Sequence, residues 1–131
     1  RMTRKAPEPL AVYILDDDDA VRCGFARLVR SAGIEARPFA TGAQFLAEVT
    51  DQVRACILLD ITMPGMTGMQ VQEELNRRGV TLPVITVSAR DDEDTRAFAR
   101  ALGARMFLRK PVDDQALLDA INWVSSSCFG R

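Results

Sequence analysis

The sequence predicts an α/β protein of the (βα)5 type, in which helices cover both faces of a doubly wound, five-stranded parallel sheet. Short apolar runs alternate with segments of helical periodicity along most of the 131 residues, and this alternation is typical of βαβ units. With 47% hydrophobic and 27% charged residues, the chain suits one domain that has a complete core.

Each predicted strand is a short apolar run, as expected for strands that are covered on both faces. The five runs lie at residues 10–15, 34–39, 55–59, 82–87 and 105–108. The third run is the most uniformly apolar, which favours a central position in the sheet. The second run is weaker and contains Pro38, which cannot donate a backbone hydrogen bond and therefore favours a sheet edge.

The first four predicted helices each have a recognisable beginning or end. Thr41 with Gln44 and Thr67 with Gln70 have capping-box spacing and predict two helix N-termini. The acidic residues 91–94 favour a third N-terminus, because negative charge complements the helix dipole. Glycines, which tolerate the left-handed conformation, are predicted to end three helices, at Gly33, Gly79 and Gly103.

The two ends of the chain are expected to lie outside the folded domain, which we place at residues 10–124. Residues 1–9 contain two prolines and several charges and are interpreted as a loose leader. Arg1 before Met2 is interpreted as an added residue. Residues 125–131 are expected to form a tail, or the start of a linker to an output domain that is absent from this chain.

Charge and composition argue against several classes of function. The chain has 17 basic and 18 acidic residues, so it lacks the basic field that nucleic acid or an anionic membrane attracts. No apolar stretch approaches the roughly 20 residues of a membrane span, and we expect a soluble, cytoplasmic protein. The 3 cysteines are widely spaced and histidine is absent, which argues against a disulfide framework and a zinc site.

Polar residues follow four of the predicted strands at the point where each strand ends. Asp16 to Asp19 follow the first strand, Asp60 the third, Ser88 the fourth and Lys110 the fifth. Right-handed crossovers bring the C-terminal ends of parallel strands to one edge of the sheet, so we expect these residues to converge. Each of them alone has an ordinary explanation as a cap or turn residue, but their conjunction favours a functional site.

The converging residue types favour phosphoryl chemistry with a bound divalent cation. Clustered carboxylates repel one another, and Mg²⁺ relieves this repulsion because it prefers oxygen ligands. Mg²⁺ shares its remaining positions with phosphoryl oxygens, and a carboxylate is a competent phosphoryl acceptor. Lys110 can pair with the acceptor or with a phosphoryl oxygen, and Ser88 can donate a hydrogen bond to another.

The sequence resembles the receiver domain of two-component response regulators, which has the chemotaxis-regulator-like fold. The resemblance covers about residues 12–121 and implies the strand order 2-1-3-4-5. It rests on the acid pair Asp16-Asp17, on Asp60 followed by Met63-Pro64-Gly65-Met66-Thr67-Gly68, on Ser88-Ala89, and on Gly103-Ala104 leading to Lys110-Pro111. Within the family, residues 15–18, 72–75 and 109–111 look most like the nitrogen-fixation and nitrate-regulator type.

The resemblance implies a role for each residue of the cluster. Asp60 would be the phosphoacceptor, and Lys110 would bridge to it through a Lys110–Pro111 segment whose peptide bond is often cis in this family. Asp17 would be a direct Mg²⁺ ligand, and Asp16 would support the ion through a water molecule. Thr62, two residues after the acceptor, would contribute its backbone carbonyl to the metal.

The resemblance also implies a conformational switch, for which the family commonly uses threonine and tyrosine. The matching residues here are Ser88 and Phe107; serine keeps the hydroxyl but lacks the methyl group that restricts its rotamer. We expect phosphorylation to draw Ser88 inward and to let Phe107 fill the vacated space. Two roles stay open: Asp18 either adds charge near the metal or caps the first helix, and Arg90 alters the phosphoryl lifetime in a direction that the sequence does not reveal.

The function implied is that of a signalling phosphoacceptor, which a sensor histidine kinase phosphorylates in a Mg²⁺-dependent reaction. Slow self-dephosphorylation would distinguish it from an ordinary enzyme. The output would be regulation of transcription through a C-terminal DNA-binding domain, without direct nucleic-acid binding by this domain. Whether phosphorylation drives homodimerisation stays open.

Two other functions fit part of the sequence. Residues 17–21 match the D-x-D-x-[TV] pattern of haloacid-dehalogenase-type phosphatases, with Asp17 as nucleophile and Asp19 as acid/base. That assignment leaves the segment around Asp60 unexplained. A receiver that acts only as a phosphorylation-independent interaction module would be expected to lack the acceptor, an acid or the lysine, and all three are present here.

Overall fold

Strands and helices alternate along the chain, as the sequence predicts. A computed structural model describes residues 10–63, 65–90 and 92–129, with the backbone alone at residues 128 and 129. The strands are β1 (Ala11–Leu15), β2 (Glu35–Phe39), β3 (Ala55–Asp60), β4 (Val84–Ser88) and β5 (Met106–Arg109). The helices are α1 (Asp19–Ser31), α2 (Gly42–Glu48), α3 (Gly68–Arg78), α4 (Glu93–Ala101) and α5 (Asp114–Phe129). The predicted leader, residues 1–9, lies outside the described residues.

The five strands form one parallel sheet in the order β2-β1-β3-β4-β5. This order confirms the (βα)5 doubly wound prediction. The uniformly apolar strand β3 lies in the centre, and β2, which contains Pro38, lies at an edge. Strand β4 begins two residues later than predicted, directly after Pro83, which has no backbone N–H to donate.

Side chains along the central strands point alternately to the two faces of the sheet, and each face has its own apolar core. Val12, Ile14 and Leu58 face α1 and α5, whereas Tyr13 and Ile57 face α2 and α3. Successive side chains of a strand point to opposite faces, so a strand covered on both sides is apolar at every position. The two cores hold β1 and β3 rigidly side by side, and this fixes where their C-terminal ends lie.

The helix ends match most of the predicted capping patterns. Thr67 and Gln70 form a complete capping box at α3, in which each side chain accepts a hydrogen bond from the other residue's backbone N–H. At α2, Thr41 accepts from the backbone N–H of Gln44 at 3.1 Å. The acidic group before α4 supplies its N-cap, Asp92, while Asp91 lies outside the described residues. Glycines with positive φ follow three helices, at Gly33, Gly79 and Gly103.

Helix α5 continues through residue 129, beyond the predicted domain boundary at residue 124. Ser125 is buried, so the segment that we expected to begin a tail packs as part of the helix. Trp123 lies on the outer side of α5, where it is 57% exposed. Within the residues that the structure describes, no helix is both long enough and apolar enough to cross a membrane.

Candidate functional site

Backbone register brings the predicted acidic residues together at the C-terminal edge of the sheet. Leu15 of β1 pairs with Leu59 of β3, so Asp16 and Asp60, which follow them, become neighbours. Asp60 is the last residue of β3 and is 3% exposed; Asp16 is 1% exposed. Asp17 follows on the exposed side of the same turn. The site therefore combines two buried carboxylates with one that faces solvent.

The three carboxylates are close enough to share one cation. Asp16, Asp17 and Asp60 each offer an oxygen, and these oxygens lie within 4.8 Å of one another. The donor set consists of oxygen alone, because the chain has no histidine and no cysteine belongs to the group. Such a donor set fits a hard divalent cation such as Mg²⁺ better than zinc or copper, which favour imidazole or thiolate ligands. The site could therefore bind a metal ion.

Lys110 places a positive charge between the two buried carboxylates. Its Nζ lies 2.8 Å from Asp16 Oδ2 and 3.6 Å from Asp60 Oδ2. The backbone N–H of Lys110 donates to the carbonyl of Ser88 at 2.9 Å, which ties the residue to the end of β4. The Lys110–Pro111 peptide bond is cis, the isomer that is often found in the family that the sequence resembles. The ammonium group thus contacts both acids, but it lies closer to Asp16 than to Asp60.

Burial and the neighbouring charges act in opposite directions on the pKa values of Asp60 and Lys110. Burial, followed by repulsion from Asp16, raises the pKa of Asp60 to about 7, although Lys110 and the Thr62 N–H act in the opposite direction. Burial by itself lowers the pKa of Lys110, but Asp16 and Asp60 outweigh burial, and the pKa of this ammonium group is raised. One lysine therefore does not neutralise the cluster, and a second cation is favoured.

The loop after β3 holds the Asp60 carboxylate from one side. The backbone N–H of Thr62 donates to Asp60 Oδ1 at 3.2 Å. Gly68, the first residue of α3, donates its N–H to the carbonyl of Ile61 at 2.8 Å. A Cβ atom at Gly68 would lie 2.3 Å from the Asp60 carbonyl oxygen and 2.6 Å from Ile61 Cα, closer than real contacts allow. Only glycine lets α3 approach the backbone of Asp60 this closely.

The structure places the two predicted switch residues on neighbouring strands. Ser88, the last residue of β4, is fully buried, and its Oγ accepts a hydrogen bond from the backbone N–H of Arg90 at 2.9 Å. Phe107 lies half-buried in β5, and the guanidinium carbon of Arg96 stands 5.4 Å from the centre of its ring. The Arg90 guanidinium contacts Asp92 at 3.0 Å.

The acids beyond Asp17 belong to helix α1 rather than to the cluster. Asp18 is the N-cap of α1, where its side chain accepts from the backbone N–H of Val21 at 3.0 Å. Asp19 forms an ion pair with Arg22. Asp18 therefore has the capping role, one of the two that the sequence left open.

Two residues that shape the site had no role in the sequence analysis. Gly68 belongs to the motif after Asp60, but its packing against the Asp60 backbone depends on how α3 returns to the sheet. Arg22 donates from Nη1 to the Asp16 carbonyl at 2.9 Å and so ties the first turn of α1 to the end of β1. In the sequence, the only indication of this contact is a basic residue one helical turn after the acidic run.

Comparison with known families agrees with this geometry. The family model for the response regulator receiver domain matches residues 12–122. The chain belongs to this family. Receiver domains are components of two-component systems, and the match covers every element from β1 into α5.

Several relatives of this receiver are regulators of transcription. The transcriptional regulatory protein FixJ of Azorhizobium caulinodans is 40% identical over 115 residues, which make up 88% of this chain and 54% of that protein. The response regulator protein TodT of Pseudomonas putida is 38% identical over 110 residues, which make up 84% of this chain and 48% of that protein. The chain thus spans about half the length of these relatives.

Solved structures of related proteins share the fold. The response regulator StyR superposes with a TM-score of 0.84 at 37% identity, over 91% of this chain and 60% of that chain. A receiver protein from Burkholderia phymatum superposes with a TM-score of 0.76 at 38% identity, over 91% of this chain and 96% of that chain.

Proposed function

We propose that this receiver accepts a phosphoryl group on Asp60 from a sensor histidine kinase, in a reaction that depends on Mg²⁺. The observation that carries the proposal is the position of Asp60, buried at the end of the central strand beside two other carboxylates and one ammonium group. A structural ion pair needs one acid for one base, whereas here three clustered acids are accompanied by one lysine, which contacts two of them. The surplus of negative charge supports a cation site that a phosphoryl group can join.

The residues that would hold the ion are those of the carboxylate group. Asp17 and Asp60 would bind it directly, Asp16 through a water molecule, and Thr62 with its backbone carbonyl. When bound, Mg²⁺ supplies charge neutralisation for the phosphoryl oxygens during transfer. The close approach of the Asp16, Asp17 and Asp60 oxygens supports this assignment.

The side chains around Asp60 would each have a defined part in the transfer. A carboxylate oxygen of Asp60 forms a bond to phosphorus as the bond from phosphorus to the donor histidine nitrogen breaks, and the bonding electrons leave with that nitrogen. Thr62 N–H holds Oδ1 at 3.2 Å and thereby orients the carboxylate. Lys110 pairs with the phosphoryl oxygens or with Asp60, and the Ser88 hydroxyl donates to a phosphoryl oxygen.

Phosphorylation would produce a signalling state of the protein rather than a released metabolite. Attack of water at phosphorus would break its bond to the Asp60 oxygen, release inorganic phosphate and restore the carboxylate. The protein would therefore turn itself off slowly instead of acting as an ordinary enzyme. We propose that phosphorylation changes the face formed by α4, β5 and α5. As in the relatives named as transcriptional regulators, the output would be transcription, exerted in the cytoplasm through a DNA-binding domain.

The experiment is intact-mass analysis after incubation with acetyl phosphate, with and without Mg²⁺. The wild-type chain should gain one phosphoryl mass only with Mg²⁺, and Asp60→Asn should gain none. Asp19→Asn is the matched control, because Asp19 is an exposed acid outside the carboxylate group, and it should behave like wild type. Phosphorylation of the Asp60→Asn variant would contradict the proposal. Phosphatase turnover that requires Asp17 and Asp19 but not Asp60 would favour the haloacid-dehalogenase-type alternative.

A further inference from the structure

A basic groove lies between helix α1 and the edge strand β2. Its volume is about 370 Å³, and three arginines and three uncharged side chains line it: Arg22, Arg27, Arg30, Cys23, Ala26 and Pro38. Among the described residues, no acid lines this groove. Guanidinium groups around one groove repel one another, and an anion relieves the repulsion. The groove therefore favours a negatively charged ligand.

Arg27 and Arg30 are not neutralised within the part of the chain that the structure describes. Both side chains are exposed, and neither forms an ion pair or a hydrogen bond there. Arg22 differs, because it pairs with Asp19. The acid of β2, Glu35, projects toward the opposite face of the sheet and has its own ion pair there. Two guanidinium groups are thus available to carboxylates from another molecule.

The outer edge of β2 offers backbone groups beside the same groove. Strand β2 is the last strand on its side of the sheet. Glu35 donates its N–H inward, to the carbonyl of Leu10 before β1, and residues of a parallel strand bond alternately to one side and the other. The N–H and carbonyl of Ala36 therefore point outward. Pro38 also points outward, but it has only a carbonyl to offer.

The arginines and the outer edge of β2 run side by side over a similar length. Arg22 and Arg30 are eight residues apart, or about 12 Å along the axis of α1. Ile34 to Pro38 covers about 13 Å of extended chain. The Ile34 N–H donates to the carbonyl of Val29, so the end of α1 lies at the start of β2. An extended segment along this edge would pass the arginines over its whole length.

We propose that the outer edge of β2 and the basic groove together bind an extended acidic segment of a partner protein, which adds to the sheet as a further strand. Ala36 would exchange backbone hydrogen bonds with the segment. Side chains on one face of the segment recur about every 6–7 Å, and their carboxylates would pair with Arg27 and Arg30. The inference goes beyond the proposed phosphoryl transfer, because neither Ala36 nor the arginines belong to the carboxylate group.

Charge decides which kind of strand can occupy this edge. Because Pro38 removes an outward donor, the backbone pairing is short, and a short two-stranded pairing is marginal without further contacts. The ion pairs with Arg27 and Arg30 would supply these contacts. Pairing of β2 with β2 of a second copy would bring two rows of arginines together, and like charges oppose that arrangement. The surface thus favours an acidic partner over self-association.

The test is fluorescence anisotropy with a short, labelled peptide of alternating valine and glutamate whose ends are blocked. The same peptide with glutamine in place of glutamate should bind at least about tenfold more weakly, as should an N-methylated form that keeps the charges but cannot form ladder bonds. Raising sodium chloride from about 50 to about 300 mM should weaken binding of the acidic peptide about tenfold.

Variants of the arginines test the ionic contribution. Arg27→Gln together with Arg30→Gln should weaken binding of the acidic peptide about tenfold or more. The matched control is Arg77→Gln together with Arg100→Gln, which removes the same charge from the last turns of α3 and α4. This control should bind within about twofold of wild type.

Variants of the strand test the backbone contribution. Ala36→Pro removes the outward donor and should abolish binding, whereas Pro38→Val adds an outward donor and should tighten binding about fivefold. Far-UV circular dichroism shows whether each variant is folded, and the gain in Pro38→Val tests the pairing even if Ala36→Pro unfolds. Cys23, which is exposed on the groove wall, should react more slowly with iodoacetamide when the peptide is bound.

Several outcomes would overturn the inference. Equal binding of the glutamate and glutamine peptides would exclude recognition of charge, and equal binding of the N-methylated peptide would exclude strand addition. Tighter binding of a single-stranded oligonucleotide than of the acidic peptide would assign the groove to nucleic acid instead. Asp60→Asn should bind the peptide like wild type, so a failure of the proposed phosphorylation would leave this inference standing.

Discussion

Asp60 is a carboxylate that the fold buries beside another acid, and its charge is therefore costly in the absence of a metal ion. Its side chain lies at the end of the central strand, and the Lys110 ammonium group, 3.6 Å away, is shared with Asp16. Burial and Asp16 raise the pKa of Asp60 to about 7 from an ordinary value of 3.8. The folded state thus binds a proton that the unfolded state has already released at intermediate pH.

The stability of the Mg²⁺-free protein should fall as pH rises from about 4 to about 7. In this window the folded chain holds more protons than the unfolded chain, so raising the pH favours unfolding. Asp60→Asn removes the charge and should raise the free energy of unfolding at pH 8 by about 2 kcal/mol, with almost no gain at pH 4. Urea titrations of both proteins at the two pH values test this. An asparagine variant less stable than wild type at pH 8 would contradict it.

Asp18 should contribute to the stability of α1 and little to metal binding. Asp18→Ala removes the N-cap acceptor and should lower the free energy of unfolding by about 1 kcal/mol, whereas Asp18→Asn keeps an acceptor and should change it little. Both variants should bind Mg²⁺ within about threefold of wild type, since Asp18 lies outside the carboxylate group. Asp17→Asn provides the comparison, with an expected loss of about tenfold or more. Urea unfolding and titration with Mg²⁺ measure these effects, and a loss of Mg²⁺ affinity in Asp18→Ala as large as that in Asp17→Asn would contradict the prediction.

At the scale of elements, the site depends on how closely α3 returns to the end of β3. The capping box of Thr67 and Gln70 begins α3 directly after the loop that carries Thr62. Gly68 then lies against the backbone of Asp60 and Ile61. The helix and the strand therefore position the acceptor carboxylate together, through backbone contact rather than through side chains.

Gly68→Ala should damage both stability and phosphorylation. Its Cβ would overlap the Asp60 carbonyl, and separating α3 from β3 should lower the free energy of unfolding by about 3 kcal/mol. Gly24→Ala is the matched control, because Gly24 lies within α1 with no atom within 4 Å of the added Cβ. That variant should gain about 0.5–1 kcal/mol. Thermal unfolding and the rate of acetyl phosphate labelling measure the two effects, and equal behaviour of the two variants would refute the packing argument.

At the scale of the whole molecule, the acids meet only when the sheet is complete. Asp16 and Asp60 come from different strands, and Lys110 comes from the far end of the chain. An unfolded chain therefore has no preformed metal site, and binding of Mg²⁺ is linked to folding.

Mg²⁺ should stabilise the whole domain through this linkage. At about ten times its dissociation constant, the ion should add about 1.4 kcal/mol to the free energy of unfolding and raise Tm by a few degrees. Asp60→Asn should lose most of this increment, because a carboxylate ligand becomes a neutral amide. Sodium chloride at the same ionic strength is the control for screening. Equal stabilisation by both salts would show that no specific site exists.

Much of the architecture follows from local features of the sequence. Apolar runs of strand length predicted the five strands, and the spacing of Thr67 and Gln70 predicted the start of α3. Pro38 predicted the edge strand, which the sheet order confirms. These features act through the preferences of neighbouring residues, so they can be interpreted without knowledge of distant contacts.

The acids, the serine and the lysine were predicted to converge because every strand of a parallel sheet ends at the same edge. Their distances depended on tertiary structure. Only the folded molecule shows that Lys110 lies closer to Asp16 than to Asp60, that Gly68 packs on the Asp60 backbone, and that Arg90 joins Ser88 to Asp92. Sequence determines which chemical groups reach the edge of the sheet, whereas register and packing between distant segments decide which of them touch.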